Sequence, residues 1–268
     1  MLRVKLSVVC VSLLATVALL TAGCSSTPVD KTATMSPNRI YSEAKEEMAA
    51  GQWERAILLL DKLEARAAGT PLAQQAQLDK AYAQYKSSET ADALATLERF
   101  MKLHPVSPAM DYAIYLKGVI NFNDDLGLFA KFTRQDLTER DQKASKESFE
   151  AFKELVDRFP DSRYANDARL RMNYIVSSLA QYEVHVARYY FKRGAYLAAV
   201  NRAQVAVSDY RQVAAIEEAL YIMYRSYEAL GMTQLRDDAK RVLESNYPRS
   251  DFLVHGSRAL NDPWWKVW

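Results

Sequence analysis

The sequence predicts an all-α chain in which about five helix pairs stack into a solenoid, and three observations carry that prediction. From Ile40 to about Tyr247 the apolar residues recur at helical spacing, and no segment sustains the alternation of a half-buried strand. The punctuation is sparse and regular. Pro37, Pro71, Pro105, Pro108, Pro160 and Pro248 fall at expected helix boundaries, and Gly51, Gly194 and Gly231 where one helix of a pair should stop. The stretch is also self-similar, the mark of a repeat array.

A tetratricopeptide unit is two antiparallel helices in about 34 residues, with small residues where the helices cross. In the first unit (about 38–68), Ala44, Gly51, Trp53, Ala56, Leu60 and Leu63 fit that plan. Ala81, Ala93, Leu97, Phe100 and Pro105 fit the second (71–105). In the third (109–160) the matching residues are Ile114, Gly118, Phe152, Leu155 and Pro160, provided an insertion at 123–142 separates the helices. Ala187, Tyr190, Gly194, Tyr196, Ala199 and Ala203 fit the fourth (162–211), and Tyr227, Gly231, Leu243 and Pro248 the fifth (214–248). Ala or Gly on facing turns lets two backbones approach, and a larger residue there costs about 1–3 kcal/mol by overpacking. Each pair keeps apolar surface that only the next pair covers, which is why such units stack. The fold class is therefore all-α, a tetratricopeptide-type α-solenoid behind an N-terminal leader.

Two departures from regular spacing stand out. A loop as long as 123–142, carrying Phe129, Phe132, Arg134 and several carboxylates, is functional or disordered when it interrupts a compact array. The first helix of the fourth unit runs from about Ser162 to Lys192 without a breaker. Along it Ala168, Met172, Ile175, Leu179, Tyr182, Val186 and Tyr189 advance by alternating fours and threes, a heptad seam. Packing against neighbouring repeats is the expected use of that seam.

The two ends read differently. Arg3 and Lys5 precede an uncharged run from Leu6 to Leu20, then Leu20-Thr21-Ala22-Gly23-Cys24. That is the layout of a secretory signal, residues 1–23. Small residues directly before a cysteine predict cleavage there and lipid on Cys24, although Thr21 stands where an apolar residue is usual. An apolar run of about 15 residues falls short of the roughly 20 needed to span a bilayer. Residues 24–37 are expected to be a lipidated, flexible tether, and Ser25 favours the outer membrane. At the other end, residues 251–268 form an aromatic tail with Trp264, Trp265 and Trp268. Such a tail can pack back, dock a partner or touch a membrane interface.

Composition narrows the chemistry. Loss of Arg3 and Lys5 from 35 basic residues leaves 33 against 33 acidic ones, so the mature chain is formally neutral. No basic stripe for nucleic acid is present. Cys24 is the only mature cysteine, and His104, His185 and His255 lie far apart, so neither a disulfide nor a metal site is expected, and no cofactor beyond the lipid on Cys24. Catalytic motifs are missing as well, and the adjacent carboxylates Glu46-Glu47, Asp124-Asp125 and Glu217-Glu218 diverge on a helix. A binding protein is expected, not an enzyme.

Two surfaces are candidates. The first helices of units two and three carry Asp79, Tyr82, Tyr85 and then Asp111, Tyr112, Tyr115, a pattern suited to an extended peptide. Tyr82 and Tyr115 serve equally well as packing between helices, whereas Tyr85 and Tyr112 are read as groove residues. In the C-terminal half, Arg188, Lys192, Arg193 and Arg202, with Asn201 beside them, form a basic cluster around Gly194, matched to carboxylates of a partner or simply solvated.

The chain resembles the BamD family, most specifically in Gly51-Gln52-Trp53 with Ala56-Ile57, Gln77-Leu78-Asp79 with Tyr82-Ala83, Asp111-Tyr112 with Tyr115 and Gly118, and Arg193-Gly194-Ala195-Tyr196 through Val200-Asn201-Arg202. The resemblance implies a lipoprotein on the periplasmic face of the outer membrane that helps assemble β-barrel proteins. It implies that unfolded outer-membrane protein precursors and an accessory lipoprotein engage the N-terminal repeats. It further implies that the C-terminal repeats grip the POTRA domain of a barrel-forming insertase, near Arg193 and Arg202. The alternative is a periplasmic tetratricopeptide lipoprotein that organises cell-wall synthesis or division.

Overall fold

The computed structural model describes residues 31–122, 138–210, 212–257 and 260. Cys24, most of the expected insertion (123–137) and the three tail tryptophans lie outside the described residues. Among the described residues the chain is helical throughout, with no strand. After a 3-10 turn at Lys31–Thr34 come α1 (Pro37–Ala49), α2 (Trp53–Arg66), α3 (Pro71–Lys86), α4 (Thr90–Leu103) and α5 (Met110–Asn121). Then follow α6 (Thr138–Arg158), α7 (Ala165–Lys192), α8 (Tyr196–Asp209), α9 (Ala215–Ala229), α10 (Thr233–Asn246) and the short α11 (Asp251–His255). Each helix packs on its chain neighbour from α1 to α10, so α1/α2, α3/α4, α5/α6, α7/α8 and α9/α10 are five pairs. None of these helices is long and apolar enough to cross a membrane.

Two recurring turns build the stack. Within pairs, α1, α7 and α9 stop at Gly51, Gly194 and Gly231, whose φ values of 73°, 74° and 70° close the helix in the left-handed region. In the second pair Ser88 holds the same place at φ 68°, which is why no glycine marks that turn. At the ends of the first, second, third and fifth pairs, the backbone N–H of Thr70, Ser107, Ser162 and Ser250 donates to the carbonyl three residues earlier, at 3.0 Å each time.

The expected crossing residues are in the core. Ala44, Ala56, Ala81, Ala93, Ala187, Ala199 and Ala203 are fully buried. Gly118 faces the Phe152 ring so closely that a Cβ would sit 2.5 Å from it. The first half of the expected heptad seam of α7 packs inward, with Ala168, Ile175 and Leu179 buried, whereas Tyr182 and Val186 are half-buried, Tyr189 is exposed, and Ala180, Val184 and Ala187 form the inward face of the second half.

Three boundaries move. The expected flexible tether does not reach residue 37. Thr32 is buried, and the Arg66 guanidinium donates to the carbonyls of Thr32 and Met35, fastening this segment to the end of α2. The end of the expected insertion, 138–142, belongs to α6. The tail begins packed, because Phe252 stacks on Tyr221 with centroids 5.5 Å apart and Leu260 is buried.

Candidate functional site

Because α1, α3, α5 and α7 run in parallel, their first turns line one edge of the stack. There α3, the start of α5 and the turn before α7 enclose an open cleft of ≈ 670 Å³, lined by Asp79, Asp111, Tyr112, Ser162, Arg163 and Tyr164 among others. Of the six expected peptide-binding residues it brings together three: Asp79, Asp111 and Tyr112. Tyr82 packs edge-on to Trp53 at 6.1 Å, between two core clusters. Tyr85 packs against the cluster of α3–α5. Tyr115 stacks on Tyr164 at 4.6 Å and donates its hydroxyl to Asp167 at 2.7 Å. All three are half-buried and pack within the fold, and Tyr115 ties α5 to α7.

Two of the cleft's three carboxylates, Asp79 and Asp111, are already occupied, and the third, Asp161, is exposed. Asp79, 7% exposed, accepts from the Tyr41 hydroxyl (2.9 Å), Lys45 Nζ (3.4 Å) and Gln75 Nε2 (3.2 Å). Asp111 accepts from its neighbour's N–H, that of Tyr112, and from Ser162 Oγ, each at 2.7 Å. Burial, then the Asp79 charge and hydrogen bond, pushes the Tyr41 hydroxyl up to about 12. Burial and the same charge raise Tyr112 as well. Both phenols are neutral donors at any physiological pH. The exposed charged groups are Asp161 and the Arg163 guanidinium, the latter spread over Tyr164 at 4.8 Å. A ligand here meets aromatic faces, a guanidinium and the Asp161 carboxylate.

Arg163, Ser162 and Tyr164 escaped the sequence reading because a turn residue carries no period. The only signal was their place between Pro160 and the next helix. Tyr164 meets Tyr112 at 5.6 Å across 51 intervening positions that only the fold removes.

The C-terminal cluster splits in two. Arg188 forms a bidentate pair with Glu218 (2.9 and 2.8 Å), bracing α7 to α9 within the fold. Arg193, Asn201 and Arg202 are exposed, Arg193 lying over the Tyr189 ring at 5.2 Å. Arg202 also reaches inward to Glu183, a carboxylate only 5% exposed, at 3.3 Å. Missed from sequence were the apolar residues at the neighbouring turns: Leu197 (58% exposed), Leu230, Met232 and Leu235. Each looks like ordinary helix packing until the fold turns it outward.

A family model described as an outer membrane lipoprotein (YfiO) matches residues 33–242. The chain is 47% identical over 233 residues to the outer membrane protein assembly factor BamD of Neisseria meningitidis serogroup A, covering 87% of each. It is 44% identical to the Neisseria gonorrhoeae BamD over 92% of this chain and 93% of that one. Against the Vibrio cholerae BamD it is 35% identical, over 84% and 92%. The chain belongs to the BamD family. As a BamD-family member it spans nearly the whole length of these relatives, so the cleft and the C-terminal turns both lie within the shared region.

Proposed function

We infer that this chain is an outer-membrane protein assembly factor, a scaffold that acts by binding rather than by catalysis. Membership of a family whose members are named for that activity carries the inference. It sets aside the alternative of a cell-wall organiser, which no observation favours. In this reading Cys24 is lipidated and the solenoid stands on the periplasmic face of the outer membrane. Unfolded barrel precursors lie in the cleft between α3, α5 and α7. There Tyr112 and Tyr164 offer rigid contact area and Arg163 donates to carbonyls or a carboxylate of the peptide.

The partner surface is Arg193, Asn201 and Arg202 together with the exposed Leu197, Leu230, Met232 and Leu235, a mixture of arginine and apolar residues suited to a protein interface. Its proposed occupant is the POTRA domain of a β-barrel insertase, and accessory lipoproteins join at the N-terminal repeats. The test is mild-detergent co-purification of the lipidated chain from outer membranes, with partners identified by mass spectrometry. A stoichiometric barrel protein carrying POTRA domains is the expected result. Cell-wall enzymes in its place would overturn the reading.

A further inference from the structure

We propose that the cleft reads the carbonyl edge of an extended chain rather than its side chains, and that the Tyr112 hydroxyl is the donor that sets this preference. It rests on the reading that barrel precursors lie in the cleft, and it names the part of them that is recognised. Around the cleft most polar groups are already answered within the fold. Asp79 takes three donors and Asp111 two. The neighbouring phenols are committed as well, Tyr41 donating to Asp79 and Tyr115 to Asp167. Tyr112 is different. Its ring is half-buried, packed on the core of α3–α5 and 5.6 Å from the Tyr164 ring. Yet its hydroxyl makes no hydrogen bond with any described residue.

A second donor stands beside it. Arg163 gives one N–H to the Tyr164 hydroxyl and makes no ion pair among the described residues, so most of its fork of donors is open. Its guanidinium is 4.8 Å from the Tyr164 ring, so Tyr112 and Arg163 are neighbours of one ring. Burial, then the Asp79 charge, raises the Tyr112 phenol, which therefore donates and does not turn into an anion. The acceptors that remain, the Asp161 carboxylate and the Gln75 amide oxygen, belong to exposed residues. A ligand settled on the tyrosine faces meets donors first. Its matching acceptors are carbonyl oxygens, which every residue supplies and which recur about every 6.6 Å along one edge of an extended chain. Aromatic faces add contact area without choosing closely among side chains. Such a site suits clients that share an extended conformation and not a sequence.

The test uses the full chain and a short acetylated, amidated peptide of alternating valine and alanine with a lysine at each end. That peptide offers carbonyls but no side-chain acceptor. Calorimetric titration should show binding, and Tyr112→Phe should weaken it by about threefold to tenfold, the loss of one hydrogen bond. The thermal midpoint should stay, because the hydroxyl has no partner in the fold to lose. Esters in place of the central amides, whose carbonyls accept poorly, should weaken binding to the wild type more than to Tyr112→Phe. Equal affinity of Tyr112→Phe and wild type, indifference to the esters, or a lowered midpoint would overturn the proposal. So would a peptide that binds only once a glutamate is added, since the cleft would then be reading a side chain. If neither the plain nor the glutamate-bearing peptide binds the wild type, the reading of the cleft as a client site falls instead.

Discussion

In the first three pairs the cleft carboxylates Asp79 and Asp111 have several donors each, most of them uncharged. Asp79 has the Tyr41 hydroxyl, the Gln75 amide and Lys45, and Asp111 has the Tyr112 N–H and the Ser162 hydroxyl. In the last two pairs, among the described residues, Glu183 depends on Arg202 and Glu218 on Arg188. A carboxylate with three partners keeps two when one is removed. A buried carboxylate with one partner is left as an uncompensated charge, which is the costly case. The N-terminal region is thus built to hold a rigid polar surface whatever happens to one group. In the C-terminal region Glu218 and Glu183 rest on one arginine each, and one of these, Arg202, also faces the proposed partner.

The largest effect should come from separating the two regions. Phe152 is fully buried against Gly118 where α5, α6 and α7 meet, and Phe152→Ala should cost about 3–5 kcal/mol. In a repeat array, where stability passes between neighbours, urea unfolding followed by circular dichroism should then divide into two transitions. A single transition with an unchanged midpoint would contradict this account of the junction.

Next comes the contrast in redundancy. Arg188→Ala strands Glu218, whose side chain is 16% exposed, and should cost about 1–3 kcal/mol. Tyr41→Phe leaves Asp79 with Lys45 and Gln75 and should cost under about 1 kcal/mol. If the two variants melt alike, the redundancy argument fails. The same logic selects the probe for the partner surface. Arg202→Glu sets a second carboxylate against buried Glu183 and should destabilise the chain. Arg193→Glu should weaken the partner complex with the melting temperature held.

The smallest effects are those of pH, and they should divide the molecule. Tyr41 titrates near 12 when folded against an ordinary 10, so its contribution is complete below about pH 10 and lost between about 10 and 12. Burial, then Arg188 and Lys192, holds His185 below its ordinary 6.5, against a smaller opposing pull from Glu218. A depressed histidine contributes fully above that value and loses its contribution as pH falls through its folded value. Melting temperatures of wild type and Tyr41→Phe should converge at alkaline pH. Those of wild type and His185→Gln should diverge in acid, in favour of the variant. Parallel curves across the range would refute both assignments.

The helices were legible because their boundaries depend on local chemistry. Pro71 opens α3, Gly194 and Gly231 close α7 and α9, and buried alanines mark the crossings. The second pair's turn was harder, because Ser88 adopts the glycine conformation without being glycine. Half of the cleft was legible, since Asp79, Asp111 and Tyr112 lie on helices with a readable face. Arg163 and Tyr164 were not, because a turn places them there from 50 residues away. Thr32 and Met35 were invisible for another reason: Arg66 binds their carbonyls, and a carbonyl is the same in every residue.

The length of α7 has a mechanical consequence. Tyr164, at its N-terminal end, walls the cleft, and Glu183 and Arg188, near its other end, hold the arginine network of the last pairs. At 28 residues it is a rod about 42 Å long, so a tilt of about 5° at one end sweeps the other through about 4 Å. That sweep exceeds the length of the hydrogen bonds that hold the cleft together. With no glycine or proline inside it to absorb bending, α7 passes a tilt at one end on to the other.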